Sequence, residues 1–201
     1  MISYLNINEV NIDEISSCVS EKRIDRASKL KHEKDRLRSI AVEYLLNTMI
    51  EEIQGNTDEY MIPTPVELEY DEHGKPHVYT IEGDEIYFSL SHSGDYVACI
   101  IADKSCGIDI ERHSDRDYEK IARRICTDSE LEHVKTKEEF YQVWTLKESV
   151  MKAEGLGLAL DMKKIETETI TDGHTVIRVG DRKYYGFCVE APEGYSLSYV
   201  Y

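Results

Sequence analysis

The sequence predicts an α+β fold, and three observations carry that expectation. Strand-like and helix-like stretches follow one another in blocks rather than in strict alternation, which separates this chain from the doubly wound α/β class. The order strand, helices, strands occurs twice in the 201 residues, once in each half. That length suits one large domain or two small ones, each able to bury a core.

The elements follow in order. "ISYLNI" at residues 2 to 7 places its apolar side chains as a first strand does, and a helix follows it. From Ser20 to about Ile53 the chain is rich in helix formers and lacks Gly and Pro, with apolar residues recurring at Leu30, Leu37, Ile40, Ala41, Tyr44, Leu45 and Met49. This period predicts one long helix, or two in series, stopped near Gly55. Residues 56–85 hold Pro63, Pro65 and Pro76 with Gly74 and Gly83, and read as loops with short strands between them. "EIYFSLSHSGDYVACIIADKSCGIDIE" gives strands near 85–91, 96–102 and 106–111, a meander. Helical patterns resume at 115–125, from 128 and over 137–154, before a strand-rich tail over 162–201. No identity survives between the halves at a fixed offset, so an internal duplication stays open.

Composition excludes several functions. A net charge of −16 without a long Lys/Arg run is the wrong surface for wrapping nucleic acid or lying on an anionic membrane. A polyphosphate ligand would need a local basic pocket or a bound cation. Cys18, Cys99, Cys106, Cys126 and Cys188 are odd in number, scattered and never spaced CxxC, so neither a disulfide framework nor a zinc site is expected. "MISYLNINEV" lacks the basic and apolar regions of a signal peptide, and no apolar run approaches about eighteen residues, so a cytoplasmic protein is expected.

Two segments could carry chemistry. In "CGIDIER", Asp109 and Glu111 sit two apart on a strand and point to one face, with Ile108 and Ile110 on the other. Like charges on one face repel, so that face must meet water, basic side chains or a cation, and paired hard oxygens suit Mg²⁺. In "FYQVWTLKESVMKAEGLGL", Phe140, Trp144, Glu148 and Lys152 form one helical row, and Lys147 and Met151 lie in the next. Either Trp144 packs while Glu148 and Lys152 make a surface ion pair, or the two charges at the edge of the buried face meet a substrate. Gly155 and Gly157 suit a helix C-cap.

Other positions are less specific. "FSLSHSGDYV" offers Ser89, Ser91, His92 and Ser93 at a strand end; neighbours on a strand face opposite ways, so phosphate binding fits at least as well as a Ser-His dyad. "HGKP" reads as a turn that presents Lys75. "EKRIDRASKLKHEKDRLR" concentrates Lys and Arg in an acidic chain, as a solvated helix face or as the basic pocket required above.

Together these segments resemble the 4'-phosphopantetheinyl transferases of the surfactin-synthetase-activating (Sfp-like) type. The family's strand and helix signatures stand here as "GIDIE" at 107–111 and "WTLKESVMKAEGLGL" at 144–158. "GKP" at 74–76, "FSLSHSGDYV" at 88–97 and the basic segment ending "KHEKDRLRS" are similar to its further motifs. The resemblance covers roughly residues 20–158.

The resemblance implies a pseudo-dimer of two similar lobes, each with a small antiparallel sheet packed on a long helix, and coenzyme A between them. The lobes would be residues 1–103, binding the coenzyme A nucleotide, and 104–201, carrying the metal site and catalytic helix. It implies Mg²⁺ on Asp109, Glu111 and Glu148, with Glu148 accepting the proton of a carrier-protein serine and Lys152 stabilising phosphate charge. Coenzyme A contacts would come from Arg23, Arg26, Lys75, Ser91, His92, Asp109 and Lys152, with Arg where the family has Lys at the first two. Glu130 stands where the family often has an acidic residue. The implied reaction moves the 4'-phosphopantetheine group of coenzyme A to an apo acyl or peptidyl carrier protein and releases adenosine 3',5'-bisphosphate. A non-catalytic coenzyme A or carrier-protein binding module is the alternative, and absence of Glu148 or Lys152 would have favoured it. The short trimeric synthases of the same chemistry are about half this length, so a monomer is expected here.

Overall fold

The computed structural model describes residues 1–56, 65–80 and 83–201, and of Asn56 and Leu158 the backbone alone. Pro63, assigned above to a loop, lies outside the described residues. The chain divides into two compact units, Met1–Asp103 and Lys104–Tyr201.

The first unit runs Ile2–Asn6 (β1), Ile12–Ser16 (α1), Glu21–Ser28 (α2), Glu33–Asn56 (α3), Glu69–Tyr70 (β2), Pro76–Tyr79 (β3), Glu85–Ser93 (β4) and Tyr96–Ala102 (β5). Its five strands form one antiparallel sheet in the order β1-β5-β4-β3-β2. The basic stretch is two helices in series. Leu30 falls in the break, exposed, and its carbonyl accepts from Arg36 Nη1 at 3.0 Å. Beyond the break the apolar period holds: Ala41, Leu46 and Ile50 of α3 bury against Phe88, Val97 and Cys99.

The second unit runs Gly107–Arg112 (β6), Tyr118–Ile125 (α4), Asp128–Leu131 (α5), Lys137–Glu154 (α6), Ile165–Thr167 (β7), His174–Val179 (β8), Arg182–Val189 (β9) and Tyr195–Val200 (β10). Its sheet has the order β6-β10-β9-β8-β7. Counted from the start of each unit, both sheets read first, fifth, fourth, third, second. The expected fold of two similar α+β lobes, each with a sheet on a long helix, is what the structure holds, with α3 and α6 as those helices. The two halves thus share a strand order without sharing sequence.

One local expectation is corrected. The strand that begins at Gly107 does not complete a meander with β4 and β5; it pairs with β10, with Ser198 opposite Asp109 and Ser196 opposite Glu111. The reason is that β5 already has β1 on one side and β4 on the other, so it offers no edge to a further strand.

The helix α6 is built from clear local signals. Thr136 caps it, accepting from the Glu139 N–H, while the Glu139 carboxylate accepts from the Thr136 N–H; this capping box satisfies donors the first turn leaves open. Gly155 ends it in the left-handed conformation at φ 72°, its N–H returning to Met151 and Lys152 carbonyls. Leu146 and Val150 bury against Ile165, Ile177 and Val200, and Phe140, Tyr141 and Val143 against Ala122 and Cys126. Strand and helix meet most closely at Gly107, where a Cβ would lie 1.8 Å from the Ser149 carbonyl oxygen.

Candidate active site

In the second unit, α6 lies across β6 so that the two signature segments face each other. Lys152 Nζ donates to Asp109 Oδ1 at 2.7 Å and to the Ile108 carbonyl at 2.9 Å. The Asp109 side chain is 9% exposed and that of Lys152 29%, so the pair is at the border between core and solvent. Glu148 lies one turn back on the same row of the helix, half-buried. Its carboxyl is held above the ordinary glutamate range, first by burial and then by repulsion from Asp109, with Glu111 adding to it and Lys152 opposing it. Asp109, Glu111, Glu148 and Lys152 therefore sense one another. Trp144 continues the same row against Phe140, with ring centres 5.9 Å apart, and is half-buried rather than the core anchor its size suggests.

The donor chemistry suits a hard divalent cation, since carboxylates that repel one another are relieved by positive charge. Among the described residues, no three His, Cys, Asp or Glu side chains are gathered so as to hold a metal ion by themselves. Magnesium does not require that: it characteristically takes one or two carboxylates and fills its remaining positions with water and phosphate oxygens.

A second ion pair in the same unit was not apparent from the sequence. Lys147 is wholly buried, and its Nζ donates to Glu130 Oε2 at 2.7 Å and to the carbonyls of Ile125, Met162 and Ile165 at 3.0, 3.0 and 2.7 Å. Glu130 also accepts from the Thr127 and Thr167 N–H groups. Its part is thus to bind α5, α6 and β7 together. The row Val143, Lys147, Met151 is buried throughout, and two apolar neighbours four residues either side of a lysine are the signal that it points inward. Burial pushes the Cys126 thiol up to about 11 and holds the Cys188 thiol above its ordinary value, so neither is poised as a thiolate.

In the first unit, Arg23, Arg26 and His92 line a cavity of about 450 Å³ together with Tyr70, Pro76 and Leu90. Ser91 is buried and is not among the residues lining it, as strand alternation between positions 91 and 92 requires. Lys75 precedes Pro76 in a turn fixed by Asp71, whose backbone N–H donates to the Lys75 carbonyl and whose Oδ1 accepts from the Lys75 and His73 N–H groups. Among the described residues, no helix is long and apolar enough to cross a membrane.

Comparison with known proteins agrees over nearly the whole chain. A family profile described as 4'-phosphopantetheinyl transferase, N-terminal, matches residues 8–105, and one described as the 4'-phosphopantetheinyl transferase superfamily matches residues 105–200. A 4'-phosphopantetheinyl transferase of Bacillus subtilis is 27% identical over 84% of this chain and 75% of its own length. The 4'-phosphopantetheinyl transferase Sfp of Bacillus subtilis strain 168 is 28% identical over 82% and 73% respectively. The 4'-phosphopantetheinyl transferase gsp of Aneurinibacillus migulanus is 30% identical over 78% and 66%. With both halves matched to the same activity, the chain belongs to the 4'-phosphopantetheinyl transferase superfamily.

Proposed function

We propose that this chain transfers the 4'-phosphopantetheine group of coenzyme A to a serine of an apo acyl or peptidyl carrier protein, releasing adenosine 3',5'-bisphosphate. The observation that carries the reading is the meeting of Glu148 and Lys152 on α6 with Asp109 on β6, in a chain of this superfamily.

The reaction forms a bond between the serine oxygen and the phosphorus on the pantetheine side, and breaks the bond from that phosphorus to the bridging oxygen. Glu148 accepts the serine proton, directly or through one water. Its half-buried setting, which holds the carboxyl above the ordinary glutamate range, makes it a stronger base once ionised. Lys152, anchored by Asp109 and the Ile108 carbonyl, holds a positive charge where negative charge gathers on the leaving phosphate. One rigid helix carries both groups a turn apart, which fixes their separation.

Asp109, Glu111 and Glu148 are the residues that would hold Mg²⁺, with water and phosphate oxygens completing its shell. When bound, the ion supplies positive charge against the diphosphate. Arg23, Arg26, Lys75 and His92 of the first unit are assigned to the nucleotide end of coenzyme A, with Ser91 buried beside His92 on β4 rather than lining the cavity, and Asp109 and Lys152 of the second to the diphosphate end. The net charge of −16 means that an acidic carrier protein must meet a local basic or apolar patch.

The test is direct. The protein is incubated with Mg²⁺, coenzyme A and a panel of apo acyl and peptidyl carrier proteins, and the carriers are weighed by mass spectrometry. A pantetheinyl mass gain on at least one carrier is expected. No gain on any of them, with coenzyme A binding intact, overturns the transferase reading in favour of a binding module.

A further inference from the structure

The two arginines of the first-unit cavity are not equivalent. Arg23 is buried, and its Nε donates to Glu43 Oε2 at 2.7 Å. Glu43 is itself 1% exposed and accepts, through its other oxygen, from the Ser20 N–H and hydroxyl. The Arg23 charge is thus matched inside the protein, and an incoming anion gains little from it. Arg26, three residues on and facing the same cavity, is exposed. Among the described residues no carboxylate lies within ion-pair distance of it, and its guanidinium carbon sits 4.9 Å from the centre of the Tyr70 ring.

Tyr70 touches both arginines. Its hydroxyl accepts from Arg23 Nη2 at 3.1 Å, and its ring carries the Arg26 guanidinium. It stands on the short strand β2, opposite Pro76, which gives the ring a fixed base. A guanidinium stacked on an aromatic face keeps its edge N–H donors available for a phosphate. Without the ring, an exposed arginine samples many rotamers and loses that orientation on binding.

We infer that Tyr70 is a positioning residue of the nucleotide cavity: its hydroxyl ties it to the Arg23–Glu43 pair and its ring presents Arg26, which is the cation that reads a nucleotide phosphate, while Arg23 is part of the frame. This rests on the reading of the cavity as the nucleotide site, and it divides the two roles that reading leaves shared. The phosphate is the 3'-monoester, a dianion that a single unmatched guanidinium can grip through two N–H donors.

The experiment measures binding, so it does not depend on turnover. Calorimetry compares adenosine 3',5'-bisphosphate with adenosine 5'-monophosphate, which lacks the 3'-phosphate. The unaltered protein should prefer the bisphosphate. Arg26→Gln should shrink that preference by about tenfold, the usual range for losing one charge-assisted contact. Tyr70→Leu should shrink it in the same direction, and Tyr70→Phe, which keeps the ring, should restore most of it. Tyr70 is 43% exposed on a two-residue strand, so these variants are expected to fold, as a thermal melt will check. Equal loss of affinity for both nucleotides in Tyr70→Leu, or no restoration by Tyr70→Phe, overturns the inference. Discrimination by the unaltered protein without any carrier loading would remove the transferase reading and leave this one standing.

Discussion

Lys152 is bound twice to one strand, its ammonium resting on the Asp109 carboxylate at 2.7 Å and on the Ile108 carbonyl at 2.9 Å. The charge is therefore held in place before any substrate arrives. Lys152→Ala should lower carrier loading by about 10²–10³-fold, the scale for removing one preorganised stabilising group. Steady-state loading with saturating coenzyme A measures it, and a loss under about fivefold would remove Lys152 from the chemistry.

On the proposed assignment, Glu148 makes function and stability oppose each other. Its carboxyl is raised above the ordinary value near 4.5, so between that value and the raised one the folded chain keeps a proton that the unfolded chain has released. In that window stability falls as pH rises. Glu148→Gln should therefore melt higher than the unaltered protein near neutral pH without metal, by about 2–4 °C for each kcal/mol of strain relieved. The same substitution should reduce loading at least about 10²-fold. A lower melting temperature, or near-normal loading, contradicts this account.

Magnesium should act on the same balance. Added Mg²⁺ should raise the melting temperature more at about pH 7.5 than at about pH 5, because its carboxylate ligands must be ionised. In Glu148→Gln the increment should shrink. An increment independent of both pH and Glu148 would place the ion elsewhere.

Lys147 and Glu130 should not behave as a dispensable buried pair. Removing one partner, as in Lys147→Met, should cost about 3–5 kcal/mol by leaving a buried charge unmatched. Apolar replacement of both often restores stability in such pairs. Here it would strand the Ile125, Met162 and Ile165 carbonyls and the Thr127 and Thr167 N–H groups. Lys147→Met with Glu130→Leu should thus stay well below the unaltered protein in urea denaturation.

Gly107→Ala tests the closest approach of β6 to α6. A Cβ there meets the Ser149 carbonyl at 1.8 Å, and backbone cannot swing aside as a side chain can. A cost of about 3 kcal/mol, the upper end for overpacking, is expected, together with reduced loading as Asp109 shifts against Lys152. Gly55→Ala, where a Cβ meets nothing within 4 Å, is the control and should be neutral or stabilising by up to about 1 kcal/mol.

Much of this molecule was legible because its signals are local. The row Trp144, Glu148, Lys152 declares one helical edge, and Asp109 with Glu111 declares one strand face; both are periodic patterns within a few residues. The partner of β6 was not legible. Tyr195–Val200 carries no mark that sends it back to "GIDIE", and such pairing is decided by which strand edges remain open. The basic stretch could be read either as a solvated face or as a pocket because Glu43, which neutralises Arg23, sits twenty residues along on another helix. Trp144 packs on the Phe140 and Tyr141 cluster as its size suggests, but at the border of that cluster the ring is only half covered.

The shared strand order sets the tempo at which each unit can form. β1 lies beside β5, with Ile2 opposite Ile100, and β6 lies beside β10, with Gly107 opposite Val200. The opening strand of each unit must wait for its closing one, so almost the whole unit has to be made before its sheet can be sealed. Contacts of such long range fold slowly. On the ribosome, "GIDIE" leaves the exit tunnel long before the strand that will cover its edge.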